Sequence, residues 1–496
     1  MKKSRLLNIL KGKEHDLIVI GLDYLYLFFN PSFDRKYYLS NNIDVTESKM
    51  DPLLHFVAFG FRESRNPNPE FDTNYYLTNN PDVLNSGLNP LVHYLKYGIK
   101  ESRNPSPLAD SKLYINQKRS SPTITANIEP INGNKDTNIQ VVYDNNQLNW
   151  KMNFEMENIE LTLIPPSEYI GILKNISLIG GTRLIISEKG VLLHDEMYQF
   201  DHSPMGDYDI KIWGGIKVIG EKCIEIFAVN PNEKRIIEEA ILLSCDHDNN
   251  YFHWMVECLP KMLMIMEYKK FLGIPILLKE NLHPNLMYAL RILTGESYPI
   301  IEIEGGAIYN IKKLVYPSDL SRIMDKYTCD YIMGTDIVLS QKWIRKVREL
   351  LLSNGNSSNC TNIVKRKLYL CRHNAEYRKL LNEEEIEIGL LKLGYEIINT
   401  ATCNFQFQQE LFKQAEIVIG PTGAAITNMM LSPKDTKFIV LISDHKSTKF
   451  SLWEQLAEIS GMQLKFCIGS RAFQREDFHD DYTIDLRKLL ELINEI

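Results

Sequence analysis

Apolar residues recur with different spacings along this chain, and the changes in spacing divide it into regions. Short apolar runs bounded by polar or glycine turns predict β-strands between Ile159 and Ser244. These predicted strands are residues 159–164, 182–187, 216–220, 223–229 and 239–244. From Asn250 onward helical and strand spacings alternate, which is typical of parallel sheets covered by helices.

The alternating pattern occurs in two successive series. The first predicts helices at about 250–271, 285–293 and 336–352, and strands that begin at residues 274 and 313. The second, after the polar residues 354–362, predicts strands at 367–372, 396–399, 416–420 and 437–442, and helices at 382–393, 407–414 and 424–430. The predicted fold class is therefore α/β, with a pair of Rossmann-type domains at 139–335 and 336–496 and a cleft between them. We expect the last helix to cross back to the first domain.

An ungapped repeat with an offset of 38 residues occupies the N-terminal region. The copies, residues 33–69 and 71–107, share the pattern F-D-x-x-Y-Y-L-x-x-N-x-D-V. Each predicts a helix around Tyr-Tyr-Leu, a turn, and a second helix around Pro-Leu-x-His that a glycine ends. Because such units stack to bury faces that they cannot bury alone, residues 1–107 are expected to form a small helical module. We interpret His55 and His93, which lie among apolar residues, as hydrogen-bonded core histidines.

Amino-acid composition indicates which functions and which kinds of binding site the chain is expected to have. Residues 108–138 are rich in Ser, Thr, Asn and Pro, which predicts a linker. The net charge of −7 argues against a general nucleic-acid-binding role. Eight scattered cysteines without a C-x-x-C pair favour reduced thiols in a cytoplasmic protein and make a zinc site improbable.

The N-terminal residues bear on membrane contact. The apolar run 17–29 contains Asp23 and is shorter than the roughly 20 residues that a bilayer crossing needs. No small-residue cleavage site follows it, so neither a transmembrane span nor a signal peptide is predicted. The basic residues at 2, 3, 5, 11 and 13 fit either a short helix resting on an anionic membrane or a solvated terminus.

The segment from Ala415 to Asn428 reads AEIVIGPTGAAITN and predicts a buried strand, a tight turn at Gly420–Gly423, and the start of a helix. Such a turn gathers backbone N–H groups that can hold an anion such as a phosphate. The alternative is that the small residues serve packing only. No Walker-type loop and no G-x-G-x-x-G fingerprint is found, which argues against an NTPase or a dehydrogenase.

Two arginines precede this turn in the same predicted sheet. Arg372 stands at the carboxyl end of a predicted strand, where ligands of open α/β sheets bind, and Arg378 follows it. Their guanidinium groups suit a diphosphate, although solvated surface arginines would look the same in a sequence. Asn382 makes a plausible N-cap, with Glu383 at the positive end of the following helix.

A third group of residues lies near the start of the first alternating series. His253 and Glu257 are four residues apart on a predicted helix that Asp248 or Asn249 could cap. They fit either a general base with its orienting carboxylate or a buried tether in a core helix. Trp254 could stack on a sugar ring or belong to the core. Asp246 and Asp248 form a D-x-D triplet that is a weak candidate for a divalent metal, because helix capping also explains it.

These residues resemble three sequence blocks of glycosyltransferase family 61. The blocks read NYFHWMVECLPKM from Asn250, RHNAEYRKLLNEEE from Arg372 and LFKQAEIVIGPTGAAITNMM from Leu411, and the resemblance covers roughly residues 159–468. It implies a transferase of the GT-B type that uses a nucleotide-activated sugar and inverts the anomeric configuration. The tandem repeat resembles N-terminal modules of bacterial glycosyltransferases that assemble surface polysaccharides.

The resemblance also implies roles for residues. Those implied to bind the sugar donor are Arg372, Arg378, Asn382, Glu383, Gly420, Thr422, Gly423, Ala424 and Asn428. His253 and Glu257 would be catalytic and face the acceptor, together with Asn250 and Trp254. Many family members carry His where this chain has Thr422, and a threonine hydroxyl cannot act as a cation or a base near neutral pH.

The sequence therefore predicts an inverting glycosyltransferase that moves a sugar from a nucleotide-diphosphate donor to a hydroxyl of a glycan or lipid-linked glycan. No cofactor beyond the nucleotide sugar is expected, and a divalent metal is not favoured. The expected location is the cytoplasm, with peripheral contact at the inner face of the membrane. The alternative is an inactive glycan- or nucleotide-binding scaffold with a transferase fold, for which Thr422 is the motivation.

Overall fold

The structure is a computed structural model of the 496-residue chain. The residues it describes are 14–28, 30, 32–68, 71–98, 101, 103, 105, 123–131, 137–142, 149–194, 216–220, 223–227, 230–245, 247–305, 307–323, 334–353, 365–373, 378–445, 448, 450–472 and 481–495. They divide into two compact units, one up to residue 120 and one from residue 121.

The described residues of the N-terminal unit are helical. A first helix, Glu14–Phe28, precedes the two repeats. The helices of the first copy are Arg35–Ser40, Ile43–Ser48 and Pro52–His55, and the last continues as a π-helical turn, Phe56–Gly60. Those of the second copy are Thr73–Asn79, Pro81–Ser86 and Pro90–His93, continued by the π-helical turn Tyr94–Gly98. The predicted helices around Tyr-Tyr-Leu and Pro-Leu-x-His are therefore present, with an additional short helix between them.

The two copies use the same buried contacts. The Tyr38 hydroxyl lies 3.0 Å from Nδ1 of His55, and the Tyr76 hydroxyl lies 3.0 Å from Nδ1 of His93. The interpretation of both histidines as hydrogen-bonded packing residues is confirmed. Burial, the largest cause, lowers the pKa of both imidazoles, which favours their neutral form.

An arginine near the end of each copy joins its helices, which explains why the repeat contains N-x-D and, later, E-S-R. Arg65 Nη1 donates to Asn42 Oδ1 at 2.9 Å and to Asp44 Oδ1 at 2.7 Å. Arg103 makes the corresponding bonds to Asn80 at 3.0 Å and Asp82 at 2.8 Å.

The glycines that end the repeated helices are there for packing. A Cβ added at Gly60 would lie 2.0 Å from the Tyr38 hydroxyl, and one at Gly98 would lie 2.3 Å from the Tyr76 hydroxyl. Neither glycine has a positive φ. Each second helix does end at its glycine, as predicted, and the close approach of the tyrosine is what requires glycine here.

Helix Glu14–Phe28 exposes part of its apolar surface. Leu22, Leu25 and Phe28 are each more than half exposed. Among the residues that the structure describes, no helix is both long and apolar enough to cross a membrane.

The second unit is a mixed α/β structure with several sheets. Its strands up to residue 242 are β1 (Thr123–Pro130), β2 (Thr137–Val142), β3 (Trp150–Phe154), β4 (Ile159–Leu163), β5 (Tyr169–Ile179), β6 (Ile185–Ile186), β7 (Val191–His194), β8 (Ile216–Gly220), β9 (Cys223–Phe227) and β10 (Asn230–Leu242). Those that follow are β11 (Ile276–Lys279), β12 (Ile300–Ile303), β13 (Ala307–Pro317), β14 (Arg322–Ile323), β15 (Ile337–Val338), β16 (Arg366–Leu370), β17 (Glu396–Ile398), β18 (Ala415–Pro421), β19 (Lys437–Ser443), β20 (Gln463–Arg471) and β21 (Tyr482–Thr483).

The helices of this unit lie mostly between the later strands. The α-helices are Tyr251–His253, Leu259–Met266, Pro284–Thr294, Gln341–Ser353, Glu383–Leu391, Phe405–Phe412, Phe450–Ser460 and Leu486–Glu495. A π-helical turn, Trp254–Cys258, joins the first two of these into one continuous helix. Short 3₁₀ helices form at Lys269–Phe271, Thr400–Thr402 and Ala424–Leu431.

The larger sheet combines two kinds of pairing. Its described strands run in the order β12-β11-β10-β13-β5-β6-β7-β1-β9-β8, with β2 paired to β5. Strands β10 to β13 pair in parallel, whereas β5 pairs with β13 in an antiparallel manner. The sequence pattern missed β5, an eleven-residue strand whose burial is nearly continuous. Because both faces of β5 are covered, its residues lack the alternation that identifies a half-buried strand.

The second sheet is doubly wound. Its order is β17-β16-β18-β19-β20-β21, and all pairs except β20 with β21 are parallel. Numbered along the chain, the five parallel strands have the order 2-1-3-4-5, which reverses direction between β16 and β18. In such sheets, the point of reversal is where ligands bind, beyond the carboxyl ends of the two strands.

One hydrophobic core is continuous between the two alternating series. It includes Met255 and Leu259 from the first series and Met429 and Trp453 from the second. The second unit is accordingly one compact body, and the boundary at residues 335 and 336 stays a prediction.

The structure corrects two expectations about connections. Strand β1 lies inside the predicted linker 108–138, because its residues pair with β7 and β9 in spite of their polar character. The last helix, Leu486–Glu495, does not cross back. Its Leu489 packs in a cluster with Tyr369 and Ile386, which belong to the second series.

A buried carboxyl group lies where the β3–β4 turn contacts helix Phe450–Ser460. Oε1 of Glu454 accepts a hydrogen bond from the Met156 N–H at 3.1 Å, and the side chain is otherwise enclosed. Burial raises the pKa of Glu454 to about 7.

We predict a stability change that depends on this group. Because the folded state binds the Glu454 proton more tightly than the unfolded state, where the pKa has its ordinary value of 4.5, stability should fall as the pH rises from about 5 to 8. The loss of folding stability is about 3 kcal/mol at most, since one pKa unit corresponds to about 1.4 kcal/mol.

The Glu454→Gln variant tests this prediction, because it keeps the hydrogen-bond acceptor and cannot ionise. Denaturant unfolding should show it equal to the wild type at pH 5 and more stable at pH 8. The exposed Glu458→Gln variant, one turn away, should follow the wild type at both pH values. Equal pH slopes for all three proteins would contradict the prediction.

Candidate active site

The reversal point of the second sheet brings together two of the three sequence blocks. Strand β16 ends at Leu370 and β18 ends at Pro421, and the two strands are neighbours. Arg372 and Thr422 follow these ends, and Arg372 Nη1 donates a hydrogen bond of 2.6 Å to the Thr422 carbonyl oxygen. The guanidinium group therefore lies across the crevice in which such sheets bind ligands.

The surroundings of Arg372 hold it in place and weaken its hydration. Its backbone N–H donates to Oε1 of Glu383 at 2.9 Å, and the same oxygen accepts from the Tyr369 hydroxyl at 3.1 Å. Burial lowers the pKa of Arg372, although an arginine stays charged at neutral pH. A partly desolvated cation of this kind interacts more strongly with an anion than one in water does.

Gly423 permits the close approach of this arginine. A Cβ at position 423 would lie 3.1 Å from Nη1 and 3.2 Å from Cζ of Arg372. A larger residue would therefore require the guanidinium group to shift by a few tenths of an ångström. The sequence pattern identified this glycine, but the partner that requires it is visible only in the fold.

The turn itself is shorter than predicted. Gly420 and Pro421 belong to strand β18, where a Cβ at Gly420 would lie 2.9 Å from Cβ of Leu370. The Thr422 N–H donates to the Leu441 carbonyl at 2.8 Å, so it is part of the sheet. The prediction that the whole turn from Gly420 presents N–H groups is therefore wrong. The N–H groups that begin helix Ala424–Leu431 have no partner within that helix, as at any helix start.

Thr422 is held by hydrogen bonds of both its side chain and its backbone. The side chain is 6% exposed, and its Oγ1 accepts a hydrogen bond of 3.1 Å from Nε1 of Trp453. With its N–H and carbonyl also bonded, this residue positions the turn.

The second arginine lies near the first. Arg378 adopts a positive φ of 55°. The charges of Arg372 and Arg378 both oppose the burial that raises the pKa of the Tyr482 hydroxyl, so both lie within electrostatic range of this group. The Tyr482 hydroxyl in turn donates to the Leu441 carbonyl at 2.9 Å.

Asn382 and Glu383 serve the fold. The Asn382 amide exchanges two hydrogen bonds with the backbone of Ile484, at 2.8 and 3.0 Å, and makes no side-chain cap of its helix. Glu383 is buried and holds the Arg372 backbone. Both side chains bind protein groups, and their part in shaping the donor pocket stays a prediction. The predicted side-chain cap by Asn382 is wrong, because its amide binds Ile484 instead.

The first block provides a coupled histidine and carboxylate. Asn250, and not Asp248 or Asn249, caps the helix, and its Oδ1 accepts from the Phe252 N–H at 2.9 Å. Nδ1 of His253 lies 2.5 Å from Oε2 of Glu257, and each side chain is 13% exposed. An ionised carboxylate only accepts hydrogen bonds, so Nδ1 carries the proton and Nε2 is left as the basic atom.

Other residues of this block belong to the core. Trp254 is fully buried, so the prediction that it stacks on an acceptor sugar is wrong. It lies on the core side of the π-helical turn. Asp248 is buried, and its Oδ2 accepts from the Ser244 hydroxyl at 3.0 Å, which argues against an open metal ligand. Asp246 lies outside the described residues.

Direct contacts join the first block to the third. The Tyr251 hydroxyl donates to Oδ1 of Asn428 at 2.8 Å, and the Asn428 amide donates to Oε1 of Gln408 at 3.0 Å. Asn428 is fully buried, so its predicted role in donor binding is wrong and its role is to join the two series. The Phe252 ring also packs edge-on against Trp453, with centroids 5.6 Å apart.

Sequence patterns did not identify three further residues of this region. The His247 ring lies beside His253, with centroids 4.7 Å apart. In the sequence, His247 was only the middle residue of the D-x-D triplet. Trp453 and Tyr251 read as core aromatics, and nothing in their local sequence indicates that they fix Thr422 and Asn428.

Comparison with known proteins identifies a family for part of the chain. None of the curated proteins compared with the chain matches it. Residues 251–439, less than half of the chain, match the family model described as Glycosyltransferase 61. The matched region begins at Tyr251 and contains Arg372 and the Gly423 turn. This match supports glycosyltransferase family 61 for the region that forms the site, and it indicates a transferase enzyme.

Proposed function

We propose that the chain is an inverting glycosyltransferase with a GT-B-like pair of Rossmann-type halves, which uses a nucleotide-diphosphate sugar. The observation that carries this proposal is the position of Arg372 and the Gly423 turn at the reversal point of a doubly wound sheet. A diphosphate placed there meets a forked cation and the N–H groups of a helix start. Both act where charge develops on the leaving group.

The His253–Glu257 pair is the proposed general base. With its proton held on Nδ1 by Glu257, the imidazole accepts the proton of an acceptor hydroxyl at Nε2. The acceptor oxygen then forms a bond to the anomeric carbon from the side opposite the leaving group. The bond from that carbon to the donor phosphate oxygen breaks, and the electron pair leaves with the nucleotide diphosphate. Attack from the opposite side inverts the configuration.

The described residues favour charge stabilisation by arginine over stabilisation by a divalent metal at this point. Asp248 is engaged with Ser244, whereas Arg372 lies at the sheet edge and Arg378 is within electrostatic range of the same tyrosine, Tyr482. The donor-binding set is accordingly narrower than the sequence predicted and consists of Arg372, Arg378 and the first N–H groups after Gly423.

A scaffold without activity is the second candidate, because Thr422 replaces a histidine of the resembling sequences. Thr422 is bonded to Trp453 and Arg372, and in the proposed enzyme the base is His253 instead. The two candidates differ in turnover, since a scaffold would bind nucleotides or glycans without transferring sugar.

The acceptor class proposed is a glycan or lipid-linked glycan of the bacterial cell surface, with the enzyme on the cytoplasmic side of the membrane. The support for this class is the tandem N-terminal repeat and the exposed apolar residues of helix Glu14–Phe28.

Loss of Arg372 should abolish transfer. With a panel of nucleotide sugars, Arg372→Ala should lower kcat/KM by about 10²-fold or more, because such a contact stabilises charge that develops in the transition state. Arg372→Lys keeps the charge and loses the fork, so partial activity is expected. Nucleoside diphosphate binding, measured by calorimetry, should weaken in parallel.

The matched control is Arg366→Gln. Arg366 begins strand β16, at the opposite end from Arg372, and its Nε donates to Glu396 on the neighbouring strand β17 at 2.8 Å. This variant should retain transfer and nucleotide binding. Near-wild-type turnover in a folded Arg372→Ala protein would contradict the donor-site assignment. Tight nucleotide binding by the wild type without turnover of any donor would favour the scaffold.

The His253–Glu257 pair should control turnover. His253→Gln should reduce kcat by about 10²- to 10⁴-fold, as expected for loss of a general base. Glu257→Gln leaves an imidazole without its orienting carboxylate, so activity should fall less. Glu267→Gln, at a surface ion pair with Lys346 just beyond the same helix, is the control and should keep the wild-type kcat. Near-wild-type kcat in a folded His253→Gln protein would exclude this base.

Membrane contact should depend on helix Glu14–Phe28. We expect the full chain to float with vesicles rich in anionic lipid, and to be released at high salt, because basic residues precede the helix. A Leu22→Glu, Leu25→Glu double variant should stay at the bottom of the gradient. Leu84→Glu, at a leucine that is equally exposed in the second repeat, should float like the wild type. Flotation of the double variant would refute the contact.

A further inference from the structure

Three metal-binding side chains meet on the side of the β16 end that faces away from the Thr422 carbonyl. They are Cys371, His373 and Glu387, and one ligand atom from each lies within 4.8 Å of the other two. Nε2 of His373 lies 2.6 Å from Oε1 of Glu387. These residues form no C-x-x-C pair, because Cys371 and His373 are two positions apart and the third member comes from a helix.

The chain geometry explains how these residues meet. In an extended segment, alternate side chains point to opposite sides, so Cys371 and His373 lie on one side and Arg372 on the other. Glu383 and Glu387 are one turn apart on helix Glu383–Leu391, so both face the segment 371–373. Glu383 binds the Arg372 N–H, and Glu387 binds His373.

The three side chains have the ligand chemistry of a zinc site. A thiolate, an imidazole and a carboxylate bind Zn²⁺ at about 2.0–2.3 Å in tetrahedral geometry, with ligand atoms separated by less than twice these lengths. The spacing in the structure is therefore close to that of an assembled site. His373 is half exposed and Glu387 is 15% exposed, which leaves a path for entry and a fourth position for water.

We propose that Cys371, His373 and Glu387 bind a divalent transition-metal ion of the zinc class, which anchors the segment that carries Arg372. The site goes beyond the proposed transferase function, because it lies on the opposite side of this segment from the donor crevice and has no part in the transfer chemistry.

Binding requires one proton to leave. Cysteine binds metal ions as its thiolate, so the Cys371 thiol gives up its proton when the ion binds. As the cation binds, the sulfur–metal bond forms and this proton passes to solvent. His373 binds the ion through a neutral ring nitrogen. The hydrogen bond between His373 and Glu387 is then replaced by a bond from each side chain to the ion.

The test is a titration of the full chain, freed of metal with a chelator, with Zn²⁺ by calorimetry and with Co²⁺ by absorption. We expect one equivalent to bind, with release of about one proton. Bound Co²⁺ should show a thiolate-to-metal charge-transfer band. Cys371→Ser should remove this band, and His373→Ala should weaken binding at least tenfold. Because His373 is exposed, its replacement leaves the fold intact.

Cys467→Ser is the matched control. This thiol is also buried and free, on strand β20 of the same sheet, and its loss should change neither the stoichiometry nor the band. No binding of Zn²⁺, or binding that Cys371→Ser and His373→Ala leave unchanged, would overturn the proposal and leave His373–Glu387 as a surface ion pair. These readouts do not require transfer, so failure of the proposed function would not affect them.

Discussion

The hydrogen bond from the Arg372 guanidinium to the Thr422 carbonyl is the constraint on which the site depends. It joins the ends of two parallel strands at the point where the strand order reverses. Gly423 leaves room for the guanidinium group, the Glu383 carboxylate holds the Arg372 backbone, and Trp453 binds the Thr422 hydroxyl. A cation placed in this way is organised before any ligand arrives, so an anion that binds there does not have to reorient it.

The same region depends on packing between the two alternating series. A single core includes residues of both, and Tyr251 and Phe252 reach Asn428 and Trp453 directly. The helix that carries His253 and Glu257 is therefore fixed relative to the turn that follows β18. A π-helical turn in this helix places Trp254 in the core while the adjacent His253 stays partly accessible. Such turns are common at functional sites because they alter which side chains face a cleft.

Local patterns predicted the elements better than the contacts. The helices near 285–293 and 382–393 and the strands of the second sheet were found where their spacing was regular. Strand β5 was missed because burial on both faces removes alternation, and β1 because polar residues resemble a linker.

Among the site residues, Arg372, His253, Glu257 and Gly423 lie where a site can form. Asn382, Glu383, Thr422 and Asn428 are bonded to the protein, and Trp254 is buried. A sequence cannot distinguish a polar residue that faces a ligand from one that holds the backbone, because both need the same chemical group.

The sequence by itself determined the repeat, the alternation that leads to a doubly wound sheet, and the three blocks that resemble glycosyltransferase family 61. These properties depend on residue spacing and on the chemistry of single side chains, which the chain carries before it folds. Only the tertiary structure decided which groups meet. It brought Arg372 to Thr422, His247 to His253, and Cys371 to His373 and Glu387. Except for Cys371 with His373, these partners are six to 50 positions apart in the chain, and the distance between their atoms is set by strand order and helix packing.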